Sequence, residues 1–385
     1  MQILLLTADF PPTRNSASHH MHDLYVSLLK RGYSVDVCTQ TMTDTNENIY
    51  FFNNRFKGSH KLKLRLFYEI MAPIVIYLKY LNLRRKKYDL IITYSPSIFW
   101  SSLISLLGKN KKTTKILILR DIFPEWLVDT KILKKQSLTY KFLHFFEKKL
   151  YKLHDIICSQ SKIDSAYVDQ LLGKKKQTQQ IYSWYSVNLS DPVMSNSFYN
   201  KKKYAVYLGN LSIAQDRDRY IKIIKKIALQ NTSINFLFIG LKSADELYCK
   251  LIVEKCSNII FLPSMQGKEL QKLISNAEFG LYSLRQDFFT NNVPGKFVYY
   301  ACVGLPSIGF LGHNPELEQL NSKREFGLLC SCENQLSNII SNKQYLQVSR
   351  SKILKLSKEL FSTDLVADKL IKLHEIKRLH DETKT

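Results

Sequence analysis

Tyr204-Ala205-Val206-Tyr207-Leu208-Gly209-Asn210 is the stretch on which the fold turns. Five mostly apolar residues run without a break into glycine and asparagine. A strand buried on both faces of a sheet reads this way, and a glycine just past it lets backbone or ligand approach closely. The same pattern opens the chain at Gln2–Thr7 and returns at Ser34–Thr39, Asp89–Thr93, Lys115–Leu119 and Asp155–Cys158. After Tyr204–Leu208 it recurs at Ile234–Ile239, Asn258–Leu262, Glu278–Ser283 and Pro306–Phe310. Helical spacing separates these runs. Met21, Leu24, Tyr25, Leu28 and Leu29 form one apolar stripe that Gly32 stops, after a loop expected over Ala8–Ser18. Strands alternating with helices predict parallel sheets wrapped on both sides, an α/β class. Tyr182–Lys203 breaks the rhythm with Ser, Asn, Pro and a lysine triplet, and reads as a link between two such domains. The domains are expected at 1–190 and 191–360. Residues 361–385 would form a closing helix that returns to the first domain.

Composition narrows the classes. With 385 residues and 45 % apolar content the chain can build ordinary cores, and 13 glycines and 10 prolines exclude collagen-like or low-complexity structure. The formal charge of +23 favours a polyanionic partner. Seven cysteines without a C-x-x-C pair suit a reducing compartment and argue against zinc, so no metal is expected. The apolar start has no basic residue ahead of it and runs into Asp9 and Pro11-Pro12, so no export signal is expected. The uncharged stretch Leu90–Gly108 contains Ser95-Pro96-Ser97 and five serines, and reads as strand, turn and helix rather than a membrane span.

Four segments carry chemistry. Asn291-Asn292-Val293-Pro294-Gly295-Lys296 follows the strand Glu278–Ser283 and opens a helix. Free backbone N–H groups, the positive helix end and Lys296 make an anion site there; the alternative is an ordinary helix start with a solvated lysine. Gly209, Asn210 and Gln215 follow a strand and could approach phosphate or sugar hydroxyls, or simply form a turn. Arg120-Asp121-Ile122-Phe123-Pro124-Glu125-Trp126 follows the strand Lys115–Leu119. Asp121 could take a proton from a substrate hydroxyl and Arg120 could hold an anion, or the two could pair with each other. Ser16-Ala17-Ser18-His19-His20 opens the first helix with small residues suited to a close ligand.

In this order the segments resemble the retaining GT-B glycosyltransferases of family 4, of the bacterial type that builds O-antigen, capsule or other surface polysaccharide. The matching pieces are Ile3-Leu4-Leu5-Leu6 with Asp9-Phe10-Pro11-Pro12, Leu28-Leu29-Lys30-Arg31-Gly32-Tyr33-Ser34-Val35, the Arg120–Trp126 segment and Tyr207-Leu208-Gly209-Asn210. Phe238-Ile239-Gly240, Val293-Pro294-Gly295-Lys296, Gly304-Leu305-Pro306 and the helix from Phe361 complete the series. The resemblance implies two Rossmann-like doubly wound domains facing a central cleft. It implies transfer of a sugar, with retained configuration, from a nucleotide-sugar donor, UDP ahead of GDP, to an acceptor hydroxyl.

By the same resemblance Lys296 and Arg285 would be catalytic, joined by Asp121 from its place at the carboxyl end of a strand. Gly209, Asn210, Gln215, Asn292, Val293, Pro294 and Gly295 would hold the donor, and Ser16, His19, Arg120 and Glu125 the acceptor. Asn291 and Tyr299 stand where the family usually has glutamates, Asn210 and Gln215 where it has Arg and Lys, Ser16-Ala17 where it has a glycine pair, and Arg120 where it often has histidine. No cofactor is implied beyond the donor.

Residues 55–87 hold ten Lys/Arg and one acid, Glu69, around the apolar core Ile70–Leu78. Lysine and tyrosine at an apolar boundary suit an anionic membrane surface. The expectation is a cytoplasmic enzyme, peripheral on the inner face of the cell membrane, acting on a lipid-linked glycan. A nucleotide-sugar epimerase of the same fold and a nucleic-acid-binding protein are the rival readings. Asp121 and Glu125 are few groups for an epimerase, and no nucleic-acid module is visible, so no nucleic-acid partner is expected.

Overall fold

The structure is a computed structural model that describes residues 1–13, 15–42, 48–54, 62–107, 112–186, 203–265, 267–287, 293–322 and 325–383. It divides into two units, Met1–Tyr185 with Thr363–Thr385, and Ser186–Ser362.

In the first unit β1 (Gln2–Thr7), β2 (Ser34–Thr39), β3 (Ile49–Phe51), β4 (Leu90–Tyr94), β5 (Thr114–Ile118), β6 (Ile156–Ser159) and β7 (Gln177–Gln180) form one sheet. Their order is β3-β2-β1-β4-β5-β6-β7, and every pairing is parallel. Leu4, Leu6, Ile91, Leu117 and Ile157 face one helical layer, and Ile3, Leu5, Val37, Ile92 and Ile116 face the other. Burial on both faces is why β1 and β4 read as nearly unbroken apolar runs.

The helix Thr363–Glu382 belongs to this unit. Val366, Ala367, Leu370 and Ile371 enter the core with Met21, Leu24 and Leu28. Arg31 clamps the helix through Asp364 (2.9 Å) and Asp368 (2.8 Å). The stretch Leu90–Gly108 resolves into β4 and the helix Trp100–Leu107, and no described helix is long and apolar enough to cross a membrane.

The second unit repeats the plan. β8 (Lys203–Leu208), β9 (Ile234–Ile239), β10 (Ile259–Leu262), β11 (Phe279–Ser283), β12 (Ser307–Phe310) and β13 (Gly327–Cys330) lie in the order β10-β9-β8-β11-β12-β13, all parallel. In both sheets the strand order reverses beside the first strand of the unit. The reversal falls between β1 and β4 and again between β8 and β11.

The differences from the sequence expectation are local. The first helix begins at Ser16, inside the expected loop, because Asn15 caps it by accepting from Ser18 N (2.9 Å). Three short strands, β3, β7 and β13, were not expected. The cysteines are all free, six buried and Cys332 exposed. Asn291, Asn292 and residues 55–61 of the basic segment lie outside the described residues.

Candidate functional site

Where the order of a doubly wound sheet reverses, the loops leaving two neighbouring strands diverge and open a crevice at their carboxyl ends. In the second unit this happens between β8 and β11. Their ladder pairs Phe279 with Ala205, Gly280 with Val206 and Leu281 with Tyr207, and then stops. Tyr300 occupies the gap. Its hydroxyl accepts from Leu208 N (2.9 Å) and faces Leu281 O (3.1 Å) and Val206 O (3.2 Å) as donor. The ring fits because position 280 is glycine; a Cβ there would lie 2.5 Å from the ring. Tyr300 thereby fixes the helix Gly295–Cys302 to the open end of the sheet.

That helix starts uncapped. Pro294 precedes it and offers no side-chain acceptor, and the first bond at this end runs from Val298 N to Pro294 O (3.2 Å). The N–H groups of Gly295, Lys296 and Phe297 therefore meet no acceptor among the described residues, and they carry the positive end of the helix dipole. Val293, just before, is buried. Lys296 Nζ donates to Asn210 O (2.8 Å) and lies 5.0 Å from the centroid of the Tyr207 ring. No carboxylate pairs with it among the described residues. Burial pulls its ammonium down to about 8. A partly desolvated cation held by a carbonyl and a π face, without a counter-charge, gains by taking an anion.

Around Lys296 the turns after β8 and β11 are tied together. Gly209 takes a left-handed backbone (φ +72°) and donates to Ile239 O (2.8 Å), so the chain can turn out of β8 where a side chain would be strained. The Tyr207 hydroxyl donates to Asn210 O (3.3 Å). Ser283 Oγ donates to Gln215 O (2.7 Å), and Arg285 N donates to Ala214 O (3.1 Å).

Gln215 serves as the brace of a short 3₁₀ turn, its Oε1 accepting from Ser212 N (3.1 Å) and Oγ (2.7 Å). The Arg285 guanidinium pairs with Asp287, Nε to Oδ1 at 2.7 Å. Tyr299 is half-buried, and burial pushes its phenol up to about 12. The structure brings Gly209, Asn210, Gln215, Arg285, Pro294, Gly295 and Lys296 to the same end of one sheet. Tyr207, Ser283 and Tyr300, which hold that end together, were missed by the sequence reading, because each sits in an apolar stripe and reads as core.

In the first unit the carboxyl ends of β4 and β5 carry Tyr94, Ser95, Arg120 and Asp121. Arg120 N donates to Ser95 Oγ (2.7 Å), and its carbonyl accepts from Gln160 Nε2 (3.2 Å). Its guanidinium Nη1 is buried without a hydrogen-bond partner among the described residues. His20 lies fully buried here. Its Nδ1 meets the Tyr94 hydroxyl at 2.9 Å, and Trp184 Nε1 donates to its carbonyl (2.9 Å). Burial first, and the Arg120 charge second, hold its imidazole well below the ordinary value, so it is neutral.

Ser16 and His19 are exposed on the first helix. Glu125 is engaged twice, accepting from the Tyr140 hydroxyl and pairing with Lys135 (2.9 Å). Within the basic segment Lys86 is spent on the buried Asp36 (2.8 Å), which also accepts from Tyr88 (2.6 Å). No three His, Cys, Asp or Glu side chains cluster as metal ligands among the described residues.

The fold, two parallel α/β sheets each with a reversal point, is that of the GT-B class. Sucrose-phosphate synthase from Thermosynechococcus elongatus superposes with a TM-score of 0.68 at 16 % identity, over 97 % of this chain and 98 % of that one. Anabaena HepE, solved in complex with UDP and glucose, gives 0.68 at 14 % identity, over 97 % and 99 %. In sequence the chain is similar to a probable glycosyltransferase, WbjE, of Pseudomonas aeruginosa, 20 % identical over 223 residues. That match spans 56 % of this chain and 55 % of the relative, so the chain covers about half the length of the curated protein it matches. No family model matches.

Proposed function

We propose that the chain is a glycosyltransferase. It moves a sugar from a nucleotide-sugar donor, with UDP ahead of GDP, to a hydroxyl of a lipid-linked glycan in bacterial surface-polysaccharide synthesis, with retained configuration. One observation carries the reading: Lys296, with no carboxylate partner among the described residues, stands in the first turn of an uncapped helix beside the crevice of a doubly wound sheet. Sugar transfer breaks the bond between the anomeric carbon and a diphosphate oxygen, and the electron pair leaves with the diphosphate. The N–H groups of Gly295, Lys296 and Phe297 and the Lys296 ammonium aim at that growing charge. Such donors stabilise the transition state more than the ground state. Gly209 and Asn210 line the approach.

Arg285 supplies a second cation, its guanidinium divided between Asp287 and the phosphates. Asp121 accepts the hydrogen bond and, as the new glycosidic bond forms, the proton of the acceptor hydroxyl. Arg120, whose Nη1 has no hydrogen-bond partner among the described residues, suits an anionic group on that acceptor, such as the pyrophosphate of a lipid carrier. HepE crystallised with UDP and glucose supports UDP as the first ligand to try. The basic segment 55–87 supports a place on the inner face of an anionic membrane, where a lipid-linked acceptor lies.

Thermal-shift measurements against UDP, GDP, dTDP and their sugars test the reading. A nucleotide that binds only the folded chain raises the transition temperature with concentration. A flat response to every nucleotide diphosphate removes it.

A further inference from the structure

A second region of the first unit keeps apolar side chains in water, and the basic segment 55–87 does not contain it. Helix Leu138–Leu153 buries Leu143, Glu147, Leu150 and Tyr151 against the unit. Its opposite face shows Leu138 (84 % exposed), Phe142 (43 %) and Phe145 (63 %). These positions are four and three residues apart and so share one stripe. Lys141, Lys149 and Lys152 continue the same face at helical spacing. The loop ahead adds Ile132 (55 % exposed) with Lys131, Lys134 and Lys135. Residues 131–153 hold seven lysines and one acid, Glu147, whose carboxylate is buried and accepts from Tyr167 (3.0 Å). Only Lys135 among these lysines has a carboxylate partner among the described residues.

The stripe has neighbours of its own kind. Helix Trp100–Leu107 packs between helix Leu138–Leu153 and helix Leu62–Lys79 on one face of the sheet. Phe67 on the latter is 57 % exposed. A solvated charged face would place polar residues between the lysines, yet here phenylalanines stand between them. Large exposed apolar groups rimmed by one sign of charge fit an interface with an apolar interior and an anionic surface. A bilayer with acidic headgroups has both.

The geometry points to helix Leu138–Leu153 as an in-plane anchor, with Phe142 and Phe145 entering the headgroup boundary of an anionic bilayer and the lysines meeting its phosphates. This deepens the membrane placement proposed above and rests on it, but it assigns the contact to different residues.

Co-sedimentation of the full chain with vesicles of phosphatidylcholine containing one-third phosphatidylglycerol tests it, with pure phosphatidylcholine as the neutral control. Binding is expected to the anionic vesicles only and to weaken with salt. Lys141→Gln with Lys149→Gln and Lys152→Gln lowers the partition coefficient about 100-fold, at roughly fivefold per lysine. Phe142→Ser with Phe145→Ser lowers it about tenfold or more through lost apolar insertion. All five side chains lie on the outer face, and the UDP thermal shift of each variant checks its fold.

Unchanged vesicle binding in either variant overturns the inference. So does a solution dimer that the phenylalanine pair dissociates, because a second copy then covers the stripe, and so does capture of nucleic acid where vesicles fail. A chain that shifts with UDP but ignores vesicles rejects the anchor alone. One that binds vesicles but no nucleotide rejects the transferase reading alone.

Discussion

Replacing Tyr300 by Phe removes a single oxygen from the point where β8 and β11 part. Three backbone groups lose a partner: Leu208 N–H, with its acceptor at 2.9 Å, and the carbonyls of Leu281 and Val206, which face the hydroxyl at 3.1 and 3.2 Å. One hydroxyl proton is shared between the two buried carbonyls, so the larger cost falls on the part-buried N–H. An unsatisfied buried polar group costs about 1–3 kcal/mol, and the pair of carbonyls brings the whole to about 2–4 kcal/mol. In a unit of this size each kcal/mol moves the midpoint by roughly 2–4 °C, so the second unit should melt roughly 5–15 °C lower.

Native-state hydrogen exchange locates the effect. Leu208 N–H should lose protection first, together with the first turns of helix Gly295–Cys302, while the β9–β10 pairing keeps its own. UDP affinity should fall with it, because Tyr300 sets the helix start. A midpoint within about 1 °C of the wild type, with Leu208 still protected, would refute the claim that this hydroxyl holds the crevice open.

Acid should weaken the first unit through a buried histidine. His154 donates from Nδ1 to Leu150 O (2.7 Å) and accepts at Nε2 from Thr93 (2.8 Å), and burial pulls it down to about 4. Between the ordinary value of 6.5 and about 4 the unfolded chain takes up a proton that the folded one refuses. Stability is therefore whole above pH 6.5 and drops by up to about 3 kcal/mol toward pH 4. Urea titrations of the wild type and His154→Gln should show the slope flattening in the variant. Arg120→Gln should raise KM for an acceptor bearing pyrophosphate by about tenfold or more while a neutral acceptor analogue is unaffected, as steady-state kinetics on both will show.

The strands buried on both faces were legible because burial leaves little room for polar alternation: β1, β8 and β9 are nearly unbroken apolar runs. β7 was not. Its sequence is Gln-Thr-Gln-Gln, it lies at the sheet edge, and only its backbone pairing makes it a strand. β3 (Ile-Tyr-Phe) and β13 (Gly-Leu-Leu-Cys) are apolar, but at three and four residues they are too short to show a strand period of their own. At the candidate site the backbone signals were readable: a glycine after a strand, and a Pro-Gly-Lys opening a helix. Side-chain partners were not. Glu125 looks like a free acid at a strand end until Tyr140 and Lys135 come round to it. Tyr300 looks like core until its hydroxyl is seen between two strands nearly a hundred and some twenty residues away.

The central claim is that Lys296 and the uncapped helix start bind a diphosphate. Calorimetric titration of UDP into the wild type and Lys296→Gln at neutral and alkaline pH tests it most directly. The lysine sits at about 8, so its charge is present below that value and lost above it. Wild-type affinity should fall as the pH rises past 8, and the variant should bind about 10-fold or more weakly at neutral pH and show no such fall. Equal UDP affinity in the two proteins at both pH values would contradict the account.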